Sequence, residues 1–256
     1  MRIHIAAIAA VLCVARVASA QSAAVEIARG DSAFASLNAT SALAHYQEAI
    51  TLDSTNAEAL WKASREAVDL GEAAGFSNQN QARDSLFKLG EQYATRAVQA
   101  NPNLSVTHFT LARALGRAAL TQGPSGRVKY AKQVREQALE ALKLDSLDDG
   151  AWDVMGVWNA EIMRLSGFTR FIAKNLLGGQ VFGQANWANA QNDLEHAVAL
   201  QPNRIVHHLN LAGVYADVGD KARARAQYDL ALKLPATEYN DSHYKHQAEQ
   251  ALAKLQ

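Results

Sequence analysis

Apolar and small residues recur along this chain at intervals of three and four, the spacing of one buried helix face. Two predicted helices near the C-terminal end show the pattern most clearly. Their buried positions are Leu211, Ala212, Tyr215, Ala224, Tyr228 and Ala231. Gly219 and Asp220 interrupt the pattern between them and provide a turn and an N-cap. No stretch has the period-two alternation of a strand, so the pattern predicts an all-α chain.

The same pair of helices recurs along the chain. An alanine near the end of the second helix marks each copy, at Ala49, Ala97, Ala141, Ala197 and Ala231. The spacing of the last two alanines, from 197 to 231, equals the period of the tetratricopeptide repeat. The earlier intervals, from 49 to 97, 97 to 141 and 141 to 197, are longer, and we expect the surplus to form enlarged connections within three of the pairs. The spacing predicts helix pairs at about 23–56, 57–103, 104–147, 148–203 and 205–238.

Repeats of this kind bury their apolar faces only by stacking, so the last pair needs a covering helix. A predicted amphipathic helix over 241–255, with Tyr244, Ala248 and Leu252 on one face, meets this need. We therefore predict a single tetratricopeptide-like domain over 21–256. Such an α-solenoid has a concave surface that suits binding better than chemistry.

The first twenty residues have the pattern of an export signal. Arg2 precedes an apolar run over 5–12, and Ala18-Ser19-Ala20 is a small-residue cleavage site. This run is shorter than the roughly 20 apolar residues that span a membrane, and no other stretch is apolar enough. We expect a signal peptide over 1–20 and a periplasmic or secreted mature protein. The mature chain would lack Cys13 and therefore any disulfide.

Charge and motifs argue against several classes of function. Without Arg2 and Arg16, the 25 basic and 25 acidic residues leave a net charge of −2, and a near-neutral chain predicts no nucleic-acid partner. The sequence has no H-E-x-x-H or G-x-S-x-G motif. His243 and His246 share a face of the last helix, but two such histidines are more typical of a solvated surface than of a metal site. We predict no enzymatic activity, cofactor or metal.

The longest surplus falls around 160–183, and its apolar positions follow helical spacing. Gly178 and Gly179 would end this extra helix. One interpretation is a helix packed within the repeat; the alternative is a helix on a membrane surface, with Arg164, Arg170 and Lys174 as nearby cations. If the insertion binds lipid, the candidate residues are Trp158, Phe168, Phe171, Ile172, Leu176 and Trp187.

The segments 155–158, 168–179 and 211–220, together with Glu161, resemble the regulator of microtubule dynamics proteins and their bacterial relatives. The resemblance covers about 90–255. It implies a helical repeat domain without catalysis. Some eukaryotic members are associated with microtubules and mitotic spindles, and one, tethered at organelle contacts, has a repeat domain that binds phospholipid. An exported protein would not meet tubulin, so the microtubule role does not transfer.

Candidate binding residues lie on the first helix of each pair, which lines the concave face of such arrays. Trp61 and Phe109 occupy equivalent positions, and Arg65 and Arg113 follow one turn later. An arginine beside an aromatic ring can hold a peptide carboxylate or a lipid headgroup. Farther along, the same face carries Asp153, Val157 and Glu161. The alternative is that the arginines are solvated and the aromatic rings pack on the enlarged connections.

The primary functional prediction is a scaffold that holds a protein or peptide in this concave groove. The second is a domain that binds or transfers phospholipid or fatty acid. A lipid carrier needs an apolar tunnel, so aromatic side chains around a void near 158–187 would favour it. A filled insertion would favour protein binding.

Overall fold

A computed structural model describes residues 21–175, 177 and 179–255. The predicted signal peptide over 1–20 lies outside these residues, as do Leu176 and Gly178. The all-α prediction is confirmed, since the described residues form twelve α-helices and one 3-10 helix. The helices are α1 (21–35), α2 (Ala39–Leu52), α3 (Ala57–Phe76), α4 (Asn80–Ala100), α5 (Ser105–Ala119), α6 (Pro124–Leu144), α7 (Asp149–Arg164), α8 (Gly167–Asn175), the 3-10 helix Gln180–Gln184, α9 (Trp187–Leu200), α10 (Ile205–Asp217), α11 (Lys221–Lys233) and α12 (Asp241–Lys254).

The helices pack against one another in chain order as a tetratricopeptide-like array. The alanines that mark the repeat, at 49, 97, 141, 197 and 231, are all fully buried. Glycines provide the other close approaches: a Cβ atom at Gly30 would lie 2.4 Å from the Tyr46 ring, and one at Gly156 would lie 2.5 Å from Leu194 Cγ. Small residues therefore recur because the helix axes come too close for larger side chains.

Polar residues fix where many of the helices begin. A side-chain oxygen at the N-cap accepts a hydrogen bond from a backbone N–H three residues later, which satisfies a donor that the helix leaves free. The N-cap residues of α2, α3, α7, α9 and α11 are Asn38, Asn56, Asp148, Asn186 and Asp220, respectively.

The expectation of enlarged connections in the second and third pairs was wrong. The surplus residues lengthen the helices instead: α3, α4 and α6 have 20, 21 and 21 residues, and only 77–79 separate α3 from α4. The extra turns carry apolar and glycine positions at helical spacing, so they continue to bury surface. A Cβ atom at Gly71 would lie 2.6 Å from the Phe87 ring, and one at Gly90 would lie 2.8 Å from Val68 Cγ2.

The fourth pair contains the predicted extra helix. Helix α8 and the 3-10 helix lie between α7 and α9 in the chain, and they pack together against the rest of the array. Trp158 Nε1 donates a hydrogen bond to the Ala131 carbonyl oxygen at 2.8 Å. The Trp158 and Phe182 rings meet edge to face with their centroids 6.1 Å apart. The insertion is therefore anchored by buried aromatic side chains.

Helix α12 packs on α10 and α11, as a capping helix must, and it also reaches across the array to α3. The ring of Phe76, at the end of α3, lies 4.5 Å from the ring of His243 and 6.4 Å from that of Tyr244. The inner helices α3, α5, α7, α10 and α12 therefore close on themselves. Within the described part of the chain, no helix has the length and apolar character needed to cross a bilayer.

Candidate functional site

The inner face of the array is lined by charged side chains, many of them buried. Helix α3 carries Lys62, Glu66, Asp69 and Glu72 at intervals of three and four, which places them along one stripe. Lys62, Glu66 and Glu72 are buried. Because a buried charge is costly without a partner, the contacts of each group show which parts of the face are already engaged.

Arg65 is held between aromatic rings at the N-terminal end of this face. Its guanidinium carbon lies 3.6 Å from the centroid of the Phe34 ring and 5.4 Å from that of Trp61. Arg65 Nε donates a hydrogen bond to Glu66 Oε1 at 2.7 Å. Arg65 Nη2 is buried and has no hydrogen-bond acceptor among the described residues, although 23% of the side chain is exposed. Trp61 and Arg65 thus lie together, with one guanidinium donor unsatisfied.

Glu66 lies beside Arg65 and is fully buried. Its Oε2 atom also lacks a hydrogen-bond partner within the described structure. Burial raises the pKa of Glu66 to about 7, although the positive charge of Arg65 acts in the opposite direction. This carboxyl therefore changes its charge near neutral pH.

Phe109 and Arg113 do not form a second pair like Trp61 and Arg65. The Phe109 ring packs on Gly150 of α7, where a Cβ atom would lie 2.4 Å from Cζ. Arg113 Nη2 donates to Asp69 Oδ1 at 2.5 Å and lies 3.4 Å from Glu72 Oε2. Both members of this predicted pair are therefore engaged by other residues of the chain.

The last helix completes the central charge network. The Tyr244 hydroxyl donates to Glu72 Oε2 at 2.7 Å, and Asn240 Nδ2 donates to the Asp69 carbonyl oxygen at 3.0 Å. Burial alone would raise the pKa of Glu72, but Arg117 and Arg113 lower it below the usual glutamate value. The middle of the groove is thus filled by a buried network to which α3, α5 and α12 all contribute.

Asp153 and its neighbours form another network farther along the face. Asp153 accepts hydrogen bonds from Asn210 Nδ2 at 3.0 Å, and its Oδ1 lies 2.9 Å from His207 Nδ1. His207 Nε2 lies 2.7 Å from Asp149, which also accepts a hydrogen bond from Arg204. Burial opposes ionisation of Asp149, but these partners lower its pKa to about 2.

The other two predicted residues of this face are also engaged. Val157 packs against the C-terminal core cluster. Glu161 accepts a hydrogen bond from Arg164, which also donates to Asp217. Asp153 and Val157 therefore join α7 to its neighbours, whereas Glu161 is 63% exposed and its contact stays within α7.

The residues of the insertion divide into an inner and an outer set. Trp158 is buried, Ile172 is partly buried, and Trp187 is partly buried against the C-terminal core. Phe168 and Phe171 point outward, with 75% and 59% of their surface exposed. Leu176 lies outside the described residues. The five predicted lipid-binding residues that the structure describes thus do not converge on one interior space.

Two open clefts lie between neighbouring helices of the array. A cleft of about 930 Å³ between α4 and α6 is lined by residues that include Lys88, Glu91 and Arg96. A second, of about 480 Å³, contains Trp152 and Asp193, and burial raises the pKa of Asp193 to about 6. Charged side chains line both clefts, so neither is an apolar tunnel. The described residues contain no group of three or more side chains suited to a metal ion.

The charged stripe of α3 was not identified from the sequence, nor was the part that Asn240 and Tyr244 take in its hydrogen bonds. A signal was present, since Lys62, Glu66, Asp69 and Glu72 follow the spacing of a helix face. That spacing is also typical of a solvated face. Only the burial of the stripe by neighbouring helices distinguishes a buried charge network from a solvated helix face.

Comparison with known proteins agrees with this architecture. Residues 26–256 match the family model described as Regulator of microtubule dynamics protein 1-3. Regulator of microtubule dynamics protein 1 of Bos taurus is 24% identical over 201 residues, which are 78% of this chain and 62% of that protein. Regulator of microtubule dynamics protein 3 of Rattus norvegicus is 22% identical over 192 residues, or 75% of this chain and 40% of the relative. The chain thus spans less than two thirds of the length of either relative.

Solved structures match the fold over most of the chain. The tetratricopeptide protein TTC0263 of Thermus thermophilus superposes with a TM-score of 0.61 at 18% identity, over 90% of this chain and 99% of that one. PilF of Pseudomonas aeruginosa superposes with a TM-score of 0.53 at 14% identity, over 93% of each chain. At these identities the similarity establishes a tetratricopeptide-like fold.

Proposed function

Because this chain belongs to the Regulator of microtubule dynamics protein 1-3 family, we propose that it is a non-catalytic scaffold that binds a protein or peptide partner on its inner face. A helical repeat array is suited to this role, since stacked helix pairs present a continuous binding surface. The proposal concerns the N-terminal part of that face, around Trp61 and Arg65. The middle part is engaged by α12 through Asn240 and Tyr244.

The observation that carries the proposal is the unsatisfied donor of Arg65. Stacking on Phe34 and the hydrogen bond to Glu66 restrict the guanidinium to one orientation. The Nη2 donor has no acceptor among the described residues, and a buried donor without an acceptor is unfavourable. A partner that enters beside the exposed part of Arg65, opens access to Nη2 and supplies an acceptor there gains a charge-assisted hydrogen bond.

The chemistry of this position favours a carboxylate. Guanidinium and carboxylate groups match in charge and geometry, and Trp61 and Phe34 offer apolar surface beside the polar contact. A peptide carries such a group at its C-terminus and in its acidic side chains. The proposed ligand is therefore an acidic peptide segment or a free C-terminus with an adjacent apolar residue.

The lipid-carrier alternative receives less support. Phe182 is 2% exposed and Trp158 and Ala173 are buried, so packed side chains occupy the described part of the insertion. Its exposed rings, Phe168 and Phe171, point outward. An acyl chain needs an apolar cavity, and the packing seen here favours the protein-binding proposal.

A peptide library with free C-termini, followed by affinity measurements on the selected peptides, tests the proposal. Arg65→Ala is expected to weaken binding by at least about tenfold, because a hydrogen bond to a charged group contributes about 1.5–3 kcal/mol. Trp61→Ala should also weaken it through lost apolar contact. Amidation of the C-terminus, or neutralisation of the acidic side chain, should have an effect similar to Arg65→Ala.

Arg29→Ala is the matched control. Arg29 is an exposed arginine of the first pair, bonded only to Glu26 one turn away among the described residues, and its removal should leave affinity unchanged. Full affinity in the Trp61→Ala/Arg65→Ala double variant, with the fold intact by circular dichroism, would refute the inner-face proposal.

A further inference from the structure

Helix α8 carries two large apolar side chains on the surface. Phe168 is 75% exposed and Phe171 is 59% exposed. They are three residues apart on one helix, so their rings lie side by side on the outward face. Single exposed apolar residues are ordinary, but adjacent exposed aromatic rings indicate a surface that contacts another apolar phase.

The segment that carries this aromatic pair is positively charged, although the whole chain is neutral. Lys174 follows Phe171 by three residues and is also exposed. The segment 162–192 contains Arg164, Arg170 and Lys174 and not one acidic residue. Arg164 is neutralised by Glu161 and Asp217, which leaves Arg170 and Lys174 as the cations of α8.

The N-terminal part of helix α6 also carries an excess of positive charge. The helix packs against α8 and the 3-10 helix, where Arg135 Nη2 donates a hydrogen bond to Gln184 Oε1 at 2.7 Å. The segment 121–135 contains Arg127, Lys129, Lys132 and Arg135 and no acidic residue. The part of α6 that precedes Glu136, on a helix that contacts α8, thus also carries an excess of cations.

We propose that this surface, formed by Phe168, Phe171 and Lys174 with the adjacent cations of α6, docks the protein on an anionic lipid bilayer. The two rings enter the boundary between headgroups and acyl chains, and the lysine and arginine side chains face lipid phosphates. Charge complementarity selects an anionic surface over a zwitterionic one. A bilayer also accommodates a short projecting helix without a preformed groove, whereas a protein partner would need one.

Contacts on the inward side of α8 hold the helix in place, and the exposed rings of Phe168 and Phe171 do not take part in them. Ala173, on the opposite side of α8, is buried in the cluster that contains Trp158 and Phe182. Substitution of the outward residues therefore leaves the anchoring contacts intact. This separation allows binding and folding to be tested independently.

A fluorophore at the proposed contact tests the inference in the full chain. Cys13→Ser removes the native thiol, and Phe168→Cys introduces one for an environment-sensitive nitrobenzoxadiazole label. Vesicles of phosphatidylcholine mixed with phosphatidylglycerol should shift the emission to the blue, and a lipid-borne quencher should reduce it. Pure phosphatidylcholine, or high salt with the mixed vesicles, should give a much smaller shift.

Leu147→Cys provides the matched control site. Leu147 is 68% exposed and precedes α7, at the opposite end of that helix from α8. A label there should keep its emission when vesicles are added. This control also separates docking through α8 from binding through the apolar run over 5–12, which would not immerse position 168 selectively.

Further variants in the labelled background test the apolar and the electrostatic contributions to vesicle binding. Phe171→Ser should lower the vesicle affinity about tenfold through lost apolar burial, and Lys174→Gln should lower it about fivefold. Unchanged emission at position 168 on addition of the mixed vesicles would overturn the proposal. Equal shifts at positions 147 and 168, or equal shifts with pure phosphatidylcholine, would also contradict it.

Discussion

The Tyr244 hydroxyl donates a hydrogen bond to Glu72 Oε2 at 2.7 Å, across 172 residues of sequence. This contact joins the last helix to the second pair and closes the ring of inner helices. Glu72 is buried and is also paired with Arg117 and Arg113, so the hydroxyl completes the coordination of a charge that has little access to water. The C-terminal helix is thus both a cap on the last repeat and a component of the groove.

Tyr244→Phe removes this hydrogen bond and keeps the ring that packs on Phe76. We expect the free energy of unfolding to fall by about 1.5–3 kcal/mol, because the acceptor is a buried carboxylate. Urea denaturation measures the change. Hydrogen exchange should show faster exchange in α12 than in α5, since the hydroxyl is one of the few groups that tie α12 to α3.

Tyr239→Phe is the control for this prediction. Tyr239 is partly buried, and its hydroxyl makes no hydrogen bond to the described residues, so the change should lie within about 0.5 kcal/mol. Equal effects of the two variants would show that the Tyr244–Glu72 hydrogen bond contributes nothing specific to stability.

The close approach of α7 and α9 depends on Gly156. A Cβ atom there would lie 2.5 Å from Leu194 Cγ and 3.1 Å from the Ala190 carbonyl oxygen, and the backbone atom cannot move aside easily. Gly156→Ala should therefore destabilise the protein by about 1–3 kcal/mol in spite of its better helix propensity. Thermal unfolding followed by circular dichroism measures the loss.

Gly116→Ala should have the opposite sign. The new Cβ atom would lie 3.9 Å from Val134 Cγ2, an ordinary contact, in the interior of α5. Alanine should then stabilise the helix by about 0.5–1 kcal/mol relative to glycine. If both variants shift the melting temperature in the same direction, local crowding does not explain the glycine at 156.

The repeat could be predicted from the sequence because its signal is local. The alanines at 49, 97, 141, 197 and 231 mark places where two consecutive helices touch, so both partners of each contact lie within one repeat. Closure of the ring has no such signal. The contact between Glu72 and Tyr244 depends on small rotations that accumulate over several pairs, and no single segment encodes it.

The candidate binding residues also show that contacts within one helix are predictable from the sequence, whereas contacts between distant helices are not. Trp61 and Arg65 share a face because they are one turn apart on α3, which a helical spacing predicts. The engagement of Arg113 depends on Asp69, which lies on a different helix and 44 residues earlier in the chain. Sequence spacing therefore identifies which residues are neighbours on one helix, but not which of their charges remain available to a ligand.

The two phenylalanines Phe182 and Phe171 should respond differently to truncation, although both lie in the insertion. Phe182 is 2% exposed and packs edge to face on Trp158, so Phe182→Ala should cost about 3–5 kcal/mol. Phe171→Ala should change stability by about 0.5 kcal/mol or less, because the ring is largely in solvent. Urea unfolding of both variants measures the difference. A large loss in Phe171→Ala would mean that α8 packs through its outward face.

Glu66 should make the stability of the protein depend on pH near neutrality. Its pKa is raised to about 7 by burial, against an ordinary value near 4.5 in the unfolded chain. The folded state therefore holds this proton more tightly than the unfolded state. The contribution is fully present below pH 4.5 and is lost as the pH rises through 7. Between the two ends of this pH range, the contribution of Glu66 to the free energy of unfolding changes by an amount on the order of 3 kcal/mol.

Glu66→Gln keeps the shape of the side chain and removes the titration. The variant should lose less stability than the native protein between pH 5 and pH 8, as measured by urea midpoints at several pH values. Glu136→Gln is the control for removing an exposed carboxylate, because Glu136 makes no side-chain ion pair or hydrogen bond with the described residues, and its slope should match the native one. Parallel curves for Glu66→Gln and the native protein would show that Glu66 is already ionised at pH 5. Burial on the inner face would then be too weak to hold its proton, and the desolvated environment inferred for Arg65 would have to be revised with it.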